Sequence, residues 1–347
     1  MRDDDPRVRP EAIQALGTRM MAALGTPDPI AAEVAAHLVA ADLMGVYSHG
    51  CMRLAQYADW ADQGHFKPAG RSSITLAPGG RVVIDGGDGF GIPAMRLAVE
   101  TAIEEARTGP GVSVVGLRNC GHTGRLGAFA ERAAAEGCLA ILIGGGAGRQ
   151  WPQVVPFGGA EGRLPTNPYA IGLPGGDNGP VILDFATAAG AGGKIYAAHY
   201  AGRPLPEGLI VDAAGNPSTD PADYDVGGAL LPMAGPKGYA MALIAELIGG
   251  ALLGEARSGM NWIAVAVDLT GFQAPDTYRA LAEDLLAHIR TCPPAPGHHR
   301  VEIPGERERR IAAERAVNGI PMPQGTLAAI RATAERLGVS TTEIDEI

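Results

Sequence analysis

Gly121-His122-Thr123-Gly124-Arg125-Leu126-Gly127 follows a short apolar run, Val112 to Leu117, and its reading decides which kind of α/β protein this is. A Rossmann dinucleotide turn begins G-x-G, stands in the first strand-to-helix connection of a βαβ unit, and is followed about twenty residues on by an acidic residue. The 121–127 stretch lacks the G-x-G start. A second candidate, Gly87-Asp88-Gly89-Phe90-Gly91, has one residue between its second and third glycines where the fingerprint has two. Neither matches fully. The 87–91 stretch reads as a tight loop, and the histidine in 121–127 makes that stretch a site candidate instead.

Outward from there the pattern alternates. Ile74 and Leu76, then Val82, Val83 and Ile84, read as strands about the turn Pro78-Gly79-Gly80. Met95 to Arg107 has helical period, and Val112 to Leu117 and Leu139 to Ile143 are apolar runs of the kind buried strands show. Val181-Ile182-Leu183 and Trp262 to Leu269 add strands, and 202–225, rich in Pro, Gly and Asp, reads as irregular. Gly238 to Leu253 is apolar nearly all round, as in a helix buried on all sides. Residues 1–45 read as two helices. Pro10 stands at the first helical position, with Ile13, Leu16, Met20 and Leu24 on one stripe; Asp28 then caps a second helix with Pro29 behind it and Ile30, Val34 and Leu38 every four residues. Thr277 to Thr291 and Thr326 to Leu337 are helical as well. The expectation is a mixed α/β protein with a helical lobe built from both termini.

The chain has 347 residues, 46% of them apolar and 19% charged, which is the balance of a globular core and not of a disordered segment. Its net charge is −10, with no Lys/Arg cluster to track a phosphate backbone, so nucleic acid is not expected as a partner. No apolar run reaches the roughly 18 residues of a membrane span, and Met1-Arg2-Asp3-Asp4-Asp5 opens without the apolar stretch of a leader, which points to the cytoplasm. Cys51, Cys120, Cys138 and Cys292 form no CxxC pair and read as reduced thiols; His298-His299 has no carboxylates to complete a metal site, so no metal is assigned. Gly makes up 50 residues, about twice the ordinary share of roughly 7%. Much of the backbone must therefore turn tightly or approach something closely.

Ser48-His49-Gly50, with Arg53 and Tyr57, is the densest polar cluster. In a helix Arg53 and Tyr57 share a face and His49 lies one turn earlier. A guanidinium matches a carboxylate with two parallel hydrogen bonds, and an imidazole passes a proton to or from a hydroxyl, which together suit a 2-hydroxy or 2-oxo acid. The bland alternative is a surface helix capped by Ser48. Asp184 ends the strand Val181-Ile182-Leu183, where α/β sites tend to lie, and its carboxylate could orient His49 or merely cap a helix. Pro165-Thr166-Asn167-Pro168 suits a rigid turn or a polar clamp, and Lys237 precedes the apolar helix at a position that favours phosphate. His37, His65, His199 and His288 have no nameable partner.

In order along the chain, these segments resemble the malate/L-lactate dehydrogenase family of the second type, also called sulfolactate dehydrogenase-like. The matching residues are Asp42-Leu43 through Ser48-His49-Gly50, Arg53 and Tyr57; Gly121-His122 with Gly124; Pro156-Phe157-Gly158-Gly159; Pro165-Thr166-Asn167-Pro168; Asp184-Phe185-Ala186-Thr187; Gly193-Lys194; Lys237-Gly238-Tyr239; and Ile303-Pro304-Gly305-Glu306. His122 through Gly127 and Pro156 through Gly159 look most like the hydroxycarboxylate dehydrogenase branch. The resemblance implies a nicotinamide-dependent oxidoreductase on a non-Rossmann fold, a homodimer acting on a 2-hydroxy acid and its 2-oxo acid. It also implies that residues 1–72 plus 270–347 form a mainly helical substrate and dimer lobe, and 73–269 the cofactor-binding part. His49, partnered by Asp184, resembles the catalytic histidine, with His122 a second candidate; His49 is preferred because Arg53 lies one turn away. Ser48, Arg53 and Tyr57 would hold the substrate, and Thr166, Asn167, Asp184, Thr187 and Lys237 match positions near the cofactor.

Two positions depart from the family pattern. Ala188 stands where serine is frequent, and Arg125 brings a second arginine that would favour a diacid such as malate. Reduction of a cyclic imine carboxylate is an alternative activity, and a non-catalytic ligand-binding homologue is another. NAD and NADP both stay open, with NAD preferred; Arg149 and Arg163 would favour the phosphate of NADP and Glu161 the free hydroxyl.

Overall fold

The computed structural model describes residues 5–200 and 202–344. Met1 to Asp4, on which the lack of a leader was read, lie outside the described residues. In chain order the elements are β1 (Arg7–Val8), α1 (Pro10–Ala23), α2 (Asp28–Leu43), α3 (Arg53–Asp62), β2 (Ser73–Leu76), β3 (Val82–Gly89), α4 (Gly91–Thr108), β4 (Val112–Cys120), α5 (Gly127–Ala135), β5 (Cys138–Gly145), β6 (Pro168–Leu173), β7 (Val181–Ala186), α6 (Gly192–Tyr200), β8 (Ile210–Val211), β9 (Pro217–Ser218), β10 (Ala229–Leu230), α7 (Pro236–Glu246), β11 (Asn261–Asp268), α8 (Pro275–Arg290), α9 (Glu306–Asn318), β12 (Ile320–Pro321) and α10 (Gln324–Arg336).

A seven-stranded sheet in the order β2-β3-β4-β11-β5-β6-β7 forms the centre. Its neighbours are antiparallel except β3 and β4, which run parallel with α4 as the connection. The late strand β11 enters between β4 and β5 and pairs with both. Its inward residues Ala264 and Ala266 are small and buried, opposite a ridge on α4 of Ala94, Ala98, Ala102 and Ala106. That i, i+4 row of methyls lets the helix lie close on the sheet.

The amino-terminal periodicities hold: Ile13, Leu16, Met20, Val34 and Leu38 are fully buried. Asp28 is not the cap of α2, however. It is the first helical residue, with Pro27 in the capping position and no side-chain cap bond. Chain ends meet, since β1 pairs with β12, α2 packs on α9 and α3 on α10. The main core runs without a break from these helices (Ile13, Leu38, Ile330) into the sheet (Ile84, Leu142, Trp262). The irregular 202–225 stretch contributes β8 and β9 to a small sheet over a separate core around Val154, Leu164, Ile210 and Leu230.

Two expectations fail on burial and placement. The helix over 238–253 is not covered on all sides. It is α7 followed by a π-helical turn, Leu247–Leu252, and Leu243, Ile244, Leu247 and Leu252 are 42%, 53%, 53% and 71% exposed in the single chain. The Gly87–Gly91 stretch is no independent loop: it ends β3 and opens α4, which is the strand-to-helix turn of the one parallel pair. Its helix end is nevertheless closed. Gly91 is buried where any Cβ would overlap the Gly121 carbonyl and the His122 backbone, so the chain itself fills the place a pyrophosphate would take. The glycine is needed for close approach between two protein segments, one of which carries His122.

Among the described residues no helix is long and apolar enough to cross a membrane.

Candidate active site

Five of the predicted residues converge where α3 meets the turn after β4. His49 is not one turn before Arg53 on a common helix: it closes a separate 3-10 turn, Tyr47–His49, and an extended Gly50 intervenes before α3. That turn is fixed from behind by Asp42 on α2, whose carboxylate accepts the Cys51 N–H at 2.7 Å. Gly50 passes so close that a Cβ there would overlap the Asp42 carboxylate. The Arg53 Nε donates to the Ser48 carbonyl at 2.7 Å and its Nη1 to Gln56 Oε1, so the guanidinium and the histidine turn are held as one unit. Ser48 Oγ lies 2.9 Å from His49 Nδ1.

His122 completes the cluster from the sheet side. Its Nδ1 lies 2.8 Å from the Tyr57 hydroxyl and accepts the Gly124 N–H at 3.2 Å, which places the ring's proton on Nε2. The imidazole of His49 is stacked on it, and Trp60 stands edge-on at 6.2 Å. Burial lowers the pKa of both histidines, with the nearby Arg53 charge as the second cause; His49 is pushed down to about 3 and His122 well below its ordinary value. Both are therefore neutral at pH 7. Arg53 is itself destabilised by burial and takes no carboxylate partner among the described residues. A desolvated guanidinium with an open side is a receptor for an anion.

Two assignments do not fit this geometry. Asp184 does not reach His49: its carboxylate accepts the Gly127 N–H at 2.7 Å, at the start of α5, with Arg125 the nearest favourable charge. It is not a helix N-cap either: it lies inside β7, where the strand runs on to Ala186, and ties that strand to the first turn of α5. Arg125 is not offered to a substrate either. Its side chain is 5% exposed and forms a 2.5 Å ion pair with Glu131, while its backbone N–H donates to His37 Nε2. His37 thus has a partner that sequence reading missed, and burial holds its pKa down at about 4.

The residues matched to the cofactor form a second group. Asn167 is fully buried with a φ of 38°; its amide donates to Glu246 Oε1 at 2.8 Å and its Oδ1 has no donor. Glu246 also accepts the N–H groups of Gly146 and Gly148. Thr187 donates from both its N–H and its hydroxyl to the Thr166 carbonyl, and its own carbonyl accepts Met233 N–H just before α7. Lys237, in the first turn of α7, is exposed. Ala188 packs in the small core opposite Pro232 and carries no hydroxyl to the group. Glu246 was legible in principle, as the lone charged residue in the apolar run 238–253. A cleft of about 50 Å³ beside His122 is lined also by Trp60, Phe66, Trp151 and Ser258.

With respect to a nicotinamide dinucleotide, the donor set fits. The unpaired Asn167 acceptor suits a carboxamide N–H, and Lys237 at an exposed helix start suits a phosphate. No group of three or more His, Cys, Asp or Glu side chains able to hold a metal occurs among the described residues.

The sequence profile of the malate/L-lactate dehydrogenase family matches residues 8–331. The chain is 38% identical to L-lactate dehydrogenase of Cupriavidus necator over 315 residues, covering 87% of this chain and 88% of that one. It is 34% identical to hydroxycarboxylate dehydrogenase B of Escherichia coli K12 over 330 residues, covering 91% and 90%. Among solved structures, sulfolactate dehydrogenase from Methanocaldococcus jannaschii superposes with a TM-score of 0.86 at 31% identity, covering 98% of this chain and all of the other. With nearly its whole length matched, and with the non-Rossmann sheet in common, this chain belongs to the malate/L-lactate dehydrogenase family.

Proposed function

We propose that the protein is a nicotinamide-dependent oxidoreductase that interconverts a 2-hydroxy acid and its 2-oxo acid. The observation that carries this reading is the enclosed Arg53, without a carboxylate partner among the described residues, beside two stacked neutral histidines. Thr166, Asn167, Thr187 and Lys237 would hold a nicotinamide cofactor, which would supply hydride-transfer chemistry at the substrate carbon, and NAD is preferred because Arg163 is paired with Glu161 at 2.5 Å.

Arg53 binds and orients the substrate carboxylate. His122, its tautomer fixed by Gly124 N–H and Tyr57, offers Nε2–H to the substrate oxygen. His49 moves the proton: Ser48 Oγ lies 2.9 Å from its Nδ1 and holds the ring, leaving Nε2 to take the proton from the substrate hydroxyl or return it. Arg53 and His49 come from the helical lobe proposed for 1–72 plus 270–347, and His122 from the 73–269 part, so the reaction centre lies at their junction. A cytoplasmic homodimer is part of the proposal, and the exposed apolar face of α7 supports it.

The test is consumption of NADH or NADPH with a panel of 2-oxo acids and a cyclic imine carboxylate. Turnover of 2-oxo acids is expected; turnover of the imine alone, or of nothing while cofactor fails to bind, refutes the proposal.

A further inference from the structure

A cleft beside His122 adjoins the proposed reaction centre. It measures about 50 Å³ and is lined by Trp60, His65, Phe66, His122, Trp151 and Ser258. A water-sized sphere takes roughly 10–15 Å³, so about three to five heavy atoms fit.

The polar groups that face it are bonded to one another. Lys67 Nζ pairs with Asp88 at 2.9 Å, and the same carboxylate accepts the Ser258 hydroxyl at 2.7 Å. Arg257, the neighbour of Ser258, is exposed to solvent and acts on the Asp88 charge only through space. Arg125, which the sequence offered to a second carboxylate, is closed off by Glu131. His65 is bonded to Gln63. Apart from His122 and Gly121 on the catalytic side, the walls that remain are the aromatic side chains of Trp60, Phe66 and Trp151.

Resting on the proposed activity, we infer that this cleft receives the substrate's side chain and selects a short, uncharged one, of methyl to branched three-carbon size, against both diacids and aryl-substituted acids. Trp60, Phe66 and Trp151 supply apolar contact, and a second carboxylate would enter without a partner, which is costly in a desolvated site. Trp151 closes the cleft from the loop after β5, so it sets the length of chain admitted.

The experiment is kcat/KM for pyruvate, 2-oxobutyrate, 3-methyl-2-oxobutanoate, oxaloacetate and phenylpyruvate, with the intact enzyme and with Trp151→Ala and His65→Arg. One of the three short acids should lead, with oxaloacetate about 100-fold or more below it and phenylpyruvate about tenfold or more below. Trp151→Ala should raise the phenylpyruvate to 2-oxobutyrate ratio about tenfold, and His65→Arg should raise the oxaloacetate ratio by a similar factor. Ratios cancel any loss of folded protein. A wild-type preference for oxaloacetate or phenylpyruvate, or ratios that stay within twofold in both variants, overturns the inference while leaving the 2-oxo acid activity standing. Absence of turnover with every 2-oxo acid and both cofactors removes the activity and the inference together.

Discussion

The imidazole rings of His49 and His122 stack with centroids 5.3 Å apart and planes within 20°, although the two residues come from different elements 73 positions apart. Stacked rings cannot both carry a proton cheaply, and the Arg53 charge beside them raises that cost. At most one of the two rings becomes an imidazolium at a time. In the proposed mechanism this divides the labour: His122, locked by Tyr57 and Gly124, holds a substrate oxygen, and His49 moves the proton.

His49→Asn should lower kcat about 10²- to 10⁴-fold and abolish the pH dependence that proton transfer imposes. His122→Asn should lower kcat by roughly 10²- to 10³-fold, as loss of an oxygen-stabilising donor does, yet keep that pH dependence. Rate profiles of both variants from pH 5 to 9 decide it; a titrating limb that survives in His49→Asn and disappears in His122→Asn reverses the roles.

A carboxylate bound at Arg53 should cancel the charge that helps hold both histidines down. With a non-reactive carboxylate inhibitor such as oxamate, the imidazole proton resonances of His49 and His122 should titrate at higher pH than in the free enzyme. Arg53→Met should lower kcat/KM roughly 10- to 150-fold, at about 1.5–3 kcal/mol per charged hydrogen bond lost, and remove the oxamate-induced shift.

Asp42 is an unused buried acid whose carboxyl burial pushes up from its ordinary 3.8 to about 6, with the Cys51 hydrogen bonds only partly offsetting this. A raised folded-state value means that its contribution to stability is complete below about pH 3.8 and is lost as pH rises through about 6. Subtracting the melting temperatures of Asp42→Asn from those of the wild type, from pH 4 to 7, should give a difference that falls with pH. A flat or rising difference would show that Asp42 is ionised throughout.

Gly50→Ala puts a methyl onto that carboxylate. It should cost about 1–3 kcal/mol and displace the 47–49 turn, so that kcat falls together with melting temperature. A variant that melts normally and turns over normally would mean that Asp42 can move aside without disturbing His49.

Arg125→Met should destabilise the fold by about 3–5 kcal/mol, because Glu131 is left partly buried without its partner. It should not raise KM for diacids selectively. Chemical denaturation and a comparison of KM for oxaloacetate and pyruvate measure the two effects separately, and a diacid-specific rise would restore Arg125 as a substrate ligand.

The sequence by itself determined most of the element types and brought forward five residues that the fold gathers into one cluster. Helical and strand periods in α1, α4, β5 and β11 follow from which residues must face the core, and that is a local property. Ser48, His49, Arg53, Tyr57 and His122 were legible because polar residues dense among glycines and apolar runs have few other uses. Tertiary structure alone decided which of the charges are free. Arg53 and Arg125 are equivalent in sequence, but packing sets Glu131 against one and no acid against the other. Asp184 was drawn to the start of α5, because a desolvated carboxylate takes the nearest backbone donor. The exposed face of α7 was likewise hidden, since an apolar helix reads the same whether its cover comes from its own chain or is missing from it. Charge pairing and burial are sums over neighbours distant in the chain, and only the fold brings those neighbours together.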